Sequence, residues 1–377
     1  MKHQKKIALL IETSTSYGRT LIRGILKYAN AAASWVFYNE PRGFADALPE
    51  AAVHDFDGLI MRDTPDNMKL LRLGIPAVVS IRHEKSIKGV PNIVSDSRLI
   101  GEMAAHYMLE KGFENLAYCG FDNMPWSHER QEAFIQTLPR GKEIHCFQQK
   151  KISDYGKQMQ ELADWLKSLP KPAGLMACND VNGASIIEAA KLADVKIPQE
   201  VSILGVNNDD MICEMVSPQL SSISLDIGRA GYEAAKTLDR MLTGRFNAVE
   251  DIIIKPIKVI TRESTNIPLL RDPDVAAALH YITKNSRSHL QVNDVAANVG
   301  INRRSLERKF RKVLNRTVYD EIKRSRIELM SKMLKETDIS ISEIAYNMGF
   351  NDANHIARYF KLETGISPHK FRQIYSE

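Results

Sequence analysis

The chain has 377 residues, 44% of them hydrophobic, which predicts two or three domains with ample core. It contains no run of about 18 apolar residues, so we expect no membrane-spanning helix. The formal net charge is only +5 but is unevenly distributed: the first 273 residues carry 33 basic and 34 acidic side chains, and the rest carry 18 and 12. The positive excess lies in the last third, which favours a polyanionic partner for that region.

The start of the chain is basic, but the apolar run that follows, Ile7–Ile11, is too short for the hydrophobic region of a signal peptide. The four cysteines are widely spaced, and no Cys-x-x-Cys or Cys/His cluster occurs. We therefore expect no metal site, no cofactor, no disulfide framework and a reducing, cytoplasmic location. Small core residues are the role we expect for Cys119, Cys146, Cys178 and Cys213.

From Lys5 to about Arg262, short apolar runs alternate with amphipathic helical patterns. This alternation predicts a doubly wound α/β region with parallel sheets, and its length favours two lobes with a cleft between them. The predicted strands are Ile7–Ile11, Trp35–Tyr38, Gly58–Met61, Ala77–Ser80, Asn92–Val94, Leu116–Cys119, Ile144–Phe147, Gly174–Ala177 and Val201–Val206. The predicted helices are Gly18–Asn30, Ser97–Lys111, His128–Leu138, Ser153–Ser168, Val181–Ala193 and Ile227–Thr243.

The last third of the chain contains one helical unit twice, in Val292–Phe310 and again in Ile341–Phe360. Apolar, acidic, Asn and Gly positions recur in register, and the second copy starts 49 residues after the first. Ser340 and Glu343 have the spacing of a capping box at the start of the second copy. The repeat predicts two structurally similar helical subdomains.

Each copy predicts a helix, a tight turn and a second helix. Gly300 and Gly349 follow the first helix of each copy, where a left-handed backbone is favoured. Asn302 and Asn351 are suitable N-caps for the second helix, because an amide oxygen can accept from free backbone N–H groups. This arrangement is typical of the DNA-binding helix-turn-helix, whose second helix enters the major groove.

The region resembles the AraC/XylS family of transcription regulators over roughly 100 residues, and its closing segment Tyr359–Arg372 carries the most specific part of the match. The resemblance implies two helix-turn-helix units packed on a linking helix, here about Val318 to Lys335, with double-stranded DNA as the partner. Base- and phosphate-facing residues would be Arg303, Arg304, Glu307, Arg308, Ala353, Asn354, His355 and Arg358. Further phosphate ligands expected from the charge density are Lys309, Arg311, Lys312, Arg316, Lys323, Arg324 and Arg326.

The first 265 residues resemble the periplasmic-binding-protein-like domain of LacI-type repressors. The segments that carry this match are Asn92–Asp96, Gly174–Asp180, Val201–Asp209 and Pro218–Asp226. LacI-type repressors have their DNA-binding domain at the N-terminus, whereas here the first strand begins within about six residues and the DNA-binding signature lies at the other end. The pairing resembles a small group of xylose-responsive regulators.

That resemblance implies a sugar effector, with a pentose favoured, bound at the carboxyl ends of the strands. By position it implicates Asp96, Arg130, Asn179 and Asn207, and Asn207 stands where the family usually has Asp. Asp96 and Asn179 could instead serve only as helix caps, and Trp126, a candidate stacking platform, could be a core residue. Other candidate effector-binding residues, from loops near the first strands, are Ser14, Tyr17, Arg19 and Asp63.

The sequence therefore predicts an α/β two-lobed periplasmic-binding-protein-like domain plus an all-α domain with two helix-turn-helix units. The expected domains are 1–265 and 274–377, joined by a Pro-punctuated linker at 266–273. We expect a sugar-responsive activator, a homodimer, with RNA polymerase as a further partner; activation and dimerisation rest on the family resemblance. The alternatives are a sugar-modifying enzyme with a helical tail, for which no phosphate-binding or catalytic motif occurs, and a sugar receptor whose tail binds RNA or protein.

Overall fold

The computed structural model describes residues 4–39, 55–139, 141–150, 154–245, 249–266, 272–350 and 352–375. The chain forms two compact units, Met1–Asn266 and Ile267–Glu377. Their boundary falls beside the expected linker, of which residues 267–271 lie outside the described residues.

The described part of the first unit contains two six-stranded sheets. Sheet one has the order β11-β5-β4-β3-β1-β2 and is parallel throughout, and sheet two has the order β12-β10-β9-β8-β6-β7. Only the edge pair β10–β12 of sheet two is antiparallel. The strands are β1 Lys5–Leu10, β2 Trp35–Asn39, β3 Gly58–Arg62, β4 Ala77–Ser80, β5 Asn92–Ser95, β6 Asn115–Phe121, β7 Ile144–Gln149, β8 Ala173–Ala177, β9 Val201–Asn207, β10 Ser221–Leu225, β11 Ile252–Ile254 and β12 Pro256–Ile260.

Helices cover the sheets of this unit, because the central strands are apolar on both faces and must be buried on both. The helices are α1 Ser16–Ala32, α2 Pro65–Lys69, α3 Ser97–Glu110, α4 Pro125–Thr137, α5 Tyr155–Ser168, α6 Asp180–Ala193, α7 Asp210–Met215 and α8 Ile227–Leu242, with short 3₁₀ turns at Leu70–Leu73 and Glu263–Thr265.

The predicted two-sheet α/β architecture is confirmed, and each of the nine predicted strands is present within a few residues. Three strands were not predicted: β10, β11 and β12. They are short, and β10 alternates serine with apolar residues while β12 begins with proline. These features weaken the periodic signal on which strand prediction depends.

The chain passes between the two lobes three times: from β5 to α3, from β10 to α8 and from β11 to β12. These connections are hydrogen-bonded to each other. The Asp96 backbone N–H donates to the Ile254 oxygen at 2.9 Å, and the Asp226 N–H donates to the Lys255 oxygen at 2.9 Å. Adjacent crossovers of this kind let the lobes rotate about one line, which is the geometry of a hinge.

The second unit consists of helices in the residues that the structure describes. Two separate apolar cores correspond to the two copies of the repeat, and the long helix α12 contributes to both. The helices are α9 Pro273–Lys284, α10 Val292–Val299, α11 Arg303–Leu314, α12 Val318–Glu336, α13 Ile341–Asn347, α14 Ala353–Thr364 and α15 Pro368–Tyr375.

The turns of both copies largely follow the predicted chemistry. Gly300 and Gly349 adopt left-handed φ values of 78° and 69°, and the Asn302 side chain accepts from the Ser305 N–H at 2.8 Å. The capping box between Ser340 and Glu343 is present. In the second copy Asn351 lies outside the described residues, and the residue that caps α14 is Asp352, which accepts from two backbone N–H groups.

Helices α1 and α8 cross in backbone contact at glycines. A Cβ atom placed on Gly24 would lie 2.0 Å from the Gly228 oxygen, and one on Gly231 would lie 2.1 Å from the Leu21 oxygen. Gly228 itself is different, because a Cβ there would meet nothing closer than a Thr20 methyl group at 3.8 Å. The crossing therefore requires glycine at Gly24 and Gly231 but not at Gly228.

We predict that Gly24→Ala lowers the free energy of unfolding by about 1–3 kcal/mol, because the new methyl group forces two packed helix backbones apart. Gly228→Ala is the matched control and should leave stability unchanged or raise it by up to about 1 kcal/mol, since alanine favours helix. Urea unfolding followed by circular dichroism measures both. Equal effects of the two substitutions would contradict the close crossing.

Candidate ligand cavity and nucleic-acid interface

A cavity of about 480 Å³ opens between the two lobes of the first unit, at the carboxyl ends of strands from both sheets. Its volume lies within the range of small-molecule sites. From the predicted effector residues it gathers Tyr17, Trp126, Arg130, Asn179 and Asn207. Charged residues that the sequence analysis did not select also line it, notably Glu12, Arg62, Arg82, Asp180 and Asp209.

The wall from the first lobe is built on a buried ion pair. Arg62 donates to Glu12 through Nη2 to Oε1 at 2.8 Å and through Nε to Oε2 at 2.9 Å. Its Nη1 donates to the Ser80 hydroxyl at 2.9 Å, and its guanidinium carbon lies 4.2 Å from the centre of the Tyr17 ring. This bidentate arrangement fixes both charged groups at the cavity surface.

Burial alone would raise the pKa of Glu12, but the charge and hydrogen bonds of Arg62 outweigh it and hold this pKa below its ordinary value. Burial would likewise lower the pKa of Arg62, yet the neighbouring Tyr17 and Glu12 raise it overall. Both side chains are therefore charged at neutral pH, and Glu12 remains a hydrogen-bond acceptor.

The wall from the second lobe centres on Arg130, which is only 3% exposed. Its Nη1 donates to the Cys178 backbone oxygen at 2.5 Å, and the guanidinium lies 4.7 Å from the centre of the Trp126 ring. Its Nε has no hydrogen-bond partner, and no carboxylate of the described residues lies within ion-pair distance. Burial lowers the pKa of Arg130, so this guanidinium is poorly compensated.

Two asparagines occupy the ends of neighbouring strands in this lobe. The Asn179 side chain caps α6 by accepting from the Asn182 N–H at 2.8 Å, and the residue also lines the cavity. The position of Asn179 is thus compatible with both proposed roles, as a helix cap and as an effector-binding residue. Asn207 lines the cavity with φ at 109°, a left-handed conformation that asparagine tolerates better than most residues.

Four of the predicted effector residues do not line the cavity. Asp63 is buried and accepts from the backbone N–H groups of residues 82–84, so it holds the adjacent lining loop in place. Asp96 accepts from the Leu99 N–H as the cap of α3, Arg19 donates to the Thr13 oxygen, and Ser14 is exposed. The carboxylates of Asp63 and Asp96 therefore serve to accept hydrogen bonds from backbone N–H groups.

Glu12 and Arg62 were missed, although the sequence contains a signal for them. Each is a charged residue that ends or closely follows a strand whose carboxyl half is apolar and buried, and β1 and β3 pair in parallel with Leu10 opposite Met61. Opposite charges at the ends of two neighbouring buried strands meet across the sheet edge. Recognising them required knowing which strands are adjacent.

A hydrogen bond joins the lobes across the cavity. Asp209, the N-cap of α7 in the second lobe, accepts through Oδ2 from the backbone N–H of Ser16 at 2.8 Å. Ser16 begins α1 in the first lobe, and Thr15 before it makes no side-chain cap. Asp209 therefore supplies the missing acceptor at the start of a helix that belongs to the other lobe.

Asp180 lies directly behind this contact. It accepts from the Ser222 hydroxyl at 2.5 Å and from the Asp209 N–H at 2.7 Å. Burial raises the pKa of Asp180 to about 7. The two hydrogen bonds and the charge of Arg262 lower this pKa in part, whereas the charge of Asp209 raises it.

In the second unit, the exposed face of α11 carries Arg303, Arg304 and Arg308, while Leu306 and Phe310 are buried in the core. Arg311 and Lys312 extend the same exposed basic helix. On α14, the exposed residues include Asn354, His355 and Arg358, and the side chain of Ala353 lies outside the described residues. The second helices of the two copies thus present to solvent six of the eight predicted DNA-facing side chains, all except Glu307 and Ala353.

Glu307 is placed differently from its neighbours on α11. Its Oε2 accepts from the Val318 N–H at 3.3 Å, at the start of α12. The first N–H groups of a helix have no intrahelical partner, so this carboxylate is engaged in closing the turn between two helices.

Several of the expected phosphate ligands are engaged within the protein. Lys309 pairs with Asp272 and Asp274 at 2.8 and 2.6 Å, Arg316 with Glu321 and Lys323 with Glu363. Arg326 is buried, so its expected contact with phosphate is wrong.

The cysteine prediction also needs correction, because Cys119, Cys178 and Cys213 are buried whereas Cys146 is exposed.

Comparison with known proteins agrees with this architecture. A family model described as a periplasmic binding protein-like domain matches residues 105–265, and a helix-turn-helix domain model matches residues 295–374. The xylose operon regulatory protein of Haemophilus influenzae is 29% identical, with 97% of this chain and 98% of the relative covered. A solved structure described as a xylose-binding transcription activator covers 100% of both chains with a TM-score of 0.84 and 26% identity.

The chain is a transcription regulator homologous to the xylose operon regulatory proteins. A LacI family regulator from Enterococcus faecium, solved with bound ribose, matches 71% of this regulator with a TM-score of 0.57 and 25% identity. Because the full-length homologues are regulators, the enzyme alternative does not hold for this regulator. No helix in its described part is long and apolar enough to cross a membrane.

We predict that Asp180 makes the stability of this regulator fall as pH rises. Its folded pKa of about 7 lies above its ordinary value of 3.8, so the folded state binds the proton more tightly than the unfolded state between these limits. The stabilisation is complete below about pH 4 and is lost as pH rises through 7, to the extent of a few kcal/mol. In Asp180→Asn, unfolding free energies measured from pH 5 to pH 8 should fall less steeply; an unaltered slope would contradict the raised pKa.

Proposed function

We propose that this regulator is a sugar-responsive activator whose effector, a pentose, binds in the cavity between the lobes. The observation that carries the proposal is the buried, poorly compensated guanidinium of Arg130 at the cavity wall. A buried donor without an acceptor costs free energy, and sugar hydroxyls at this position would supply acceptors. The two homologues named for xylose, and the related domain with bound ribose, favour a pentose.

The remaining lining residues suit a monosaccharide. Glu12 accepts and Arg62 donates on one wall, while Asn207 can do both on the other, so vicinal hydroxyls can be bound in pairs. The Trp126 ring, 6.3 Å from Phe121, offers an apolar face for the sugar ring. Asn207 adds a donor where related domains have a carboxylate, which favours a sugar stereochemistry different from that preferred by those domains.

Effector binding would act through closure of the lobes. The three hydrogen-bonded crossovers allow rotation, and the contact between Asp209 and Ser16 is available only when the lobes are together. A ligand that contacts both walls stabilises the closed arrangement and shifts the population toward it. We propose that this shift changes how two subunits of a cytoplasmic homodimer present their helix-turn-helix pairs to DNA, and thereby how RNA polymerase is recruited.

On the DNA side, we propose that α11 and α14 enter successive major grooves. The exposed arginines Arg304 and Arg358 have the chemistry to pair with guanine, and Asn354 the chemistry to pair with adenine. The exposed arginines and Lys312 on α11 would neutralise phosphates.

We predict that Arg130→Ala abolishes the rise in melting temperature that D-xylose or another pentose produces, because the removed guanidinium contacts the sugar. DNA binding without sugar should be retained. Arg98→Ala, which removes an exposed arginine of α3 outside the cavity, is the control and should keep the full thermal shift. If Arg130→Ala keeps it too, the effector binds elsewhere.

We predict that Arg304→Ala and Arg358→Ala each weaken binding to the selected operator duplex by about 1–3 kcal/mol and relax the preference at one base pair. Affinity of the unaltered regulator should also fall steeply with salt, because bound lysine and arginine release counterions. Lys335→Ala, an exposed residue at the end of α12, serves as the control. Titrations against duplexes with single base changes measure the effect, and identical base preferences in all proteins would contradict the assigned recognition helices.

A further inference from the structure

Helix α12 carries an apolar stripe with a charged residue at its centre. The positions Val318, Ile322, Arg326, Met330 and Leu334 follow each other at intervals of four residues, so successive members are neighbours and the stripe winds around the helix by about 40° per step. The first two belong to the apolar core of the first helix-turn-helix copy, and the last two belong to that of the second. Arg326 thus occupies the boundary between the two cores.

Arg326 is 6% exposed and contacts two backbone carbonyls, one in the segment between α9 and α10 and one in the second copy of the repeat. Its Nη1 donates to the oxygen of Ser288, which follows the C-terminus of α9, and its Nη2 donates to the oxygen of Met348 at 2.8 Å. Met348 is the C-cap of α13, directly before the turn that leads to the second recognition helix. The guanidinium carbon also lies 4.9 Å from the centre of the Phe350 ring in that turn.

These contacts suit a guanidinium group. Its donors form a planar fork of fixed geometry, which sets the distance between the two carbonyl oxygens it binds. The Met348 carbonyl is at a helix C-terminus, where carbonyls carry partial negative charge and lack intrahelical donors, so a cation is favourable there. No carboxylate of the described residues forms an ion pair with Arg326, so its partners are these carbonyls and neighbouring aromatic side chains.

An apolar residue at this position would continue the stripe without the cost of burying a charge. Replacing buried ionic groups by apolar ones is often neutral or stabilising, which makes stability a weak reason for an arginine here. The arginine instead orients two segments relative to each other, because its two hydrogen bonds hold the loop after α9 and the turn before α14 in one relative placement. That turn and that loop belong to the two different DNA-binding subdomains.

We propose that Arg326 is a positioning residue that fixes the separation and angle of recognition helices α11 and α14. It thereby determines which spacing between two DNA half-sites the regulator accepts. The inference rests on the proposed contact of both helices with DNA. It assigns spacing selectivity to a residue that is buried away from the base-facing side chains.

The test uses the full chain and duplexes that the unaltered regulator selects from a random pool. From one selected duplex, variants are made in which the spacing between the half-sites changes by one or two base pairs, or in which one half-site is scrambled. Affinities are measured for the unaltered chain, Arg326→Met and the control Lys335→Met, which removes an exposed positive charge from the same helix. Circular dichroism melting checks the folded state.

We expect the unaltered chain and Lys335→Met to prefer the selected spacing by about tenfold or more, and Arg326→Met to lose most of this preference. Its affinity for the duplex with a single half-site should stay within about twofold, because α11 and α14 are individually intact. Equal weakening of Arg326→Met on all duplexes, with the spacing preference kept, would overturn the inference. That result would assign Arg326 a purely structural role.

Two further outcomes are distinguishable. If Arg326→Met is unfolded at the assay temperature, Arg326→Lys is compared instead, since lysine keeps the charge but lacks the fork. A spacing preference in Arg326→Lys equal to that of the unaltered chain would then overturn the inference. If the unaltered chain itself shows no spacing preference, the proposed use of two recognition helices fails, and the role of Arg326 fails with it.

Discussion

Burying a guanidinium group costs free energy unless its N–H donors find acceptors, and three arginines of this regulator meet that constraint in different ways. Arg62 is matched by the carboxylate of Glu12. Arg326 binds two backbone carbonyls, one of which is at the C-cap of α13. Arg130 has one carbonyl and the Trp126 ring, and its Nε lacks a partner. The contacts of Arg62 and Arg326 hold protein segments together, whereas Arg130 keeps an unpaired N–H donor at a cavity wall.

The cavity itself follows from the topology of the first unit. Parallel strands end at one edge of each sheet, and the three crossovers bring the two edges to face each other. Helix caps then determine which side chains remain available there. Asp63 and Asp96 are engaged with backbone N–H groups, while Glu12, Arg62 and Arg130 are directed to the cavity wall.

The fold could be predicted well from the sequence because its signals are local: strand and helix periodicity, glycine turns and caps. The site could be predicted only in part. Arg130 and Asn207 were predicted by position in a known pattern and line the cavity, but the pairing of Glu12 with Arg62 depends on the adjacency of two strands distant in sequence. Burial is equally non-local, so Arg326 was grouped with surface basic residues although its place in the four-residue stripe was visible.

The crossing of α1 and α8 at Gly24 and Gly231 has a consequence for synthesis of the protein on the ribosome. The first lobe contains β1 to β5, but it is completed by α8 and the edge strand Ile252–Ile254, which are translated much later. The second lobe, by contrast, is formed mainly by the continuous segment from Ser97 to Leu225. The nascent chain must therefore hold the apolar strands of an unfinished first lobe until the second lobe has emerged, and this interval is when chaperones would bind it.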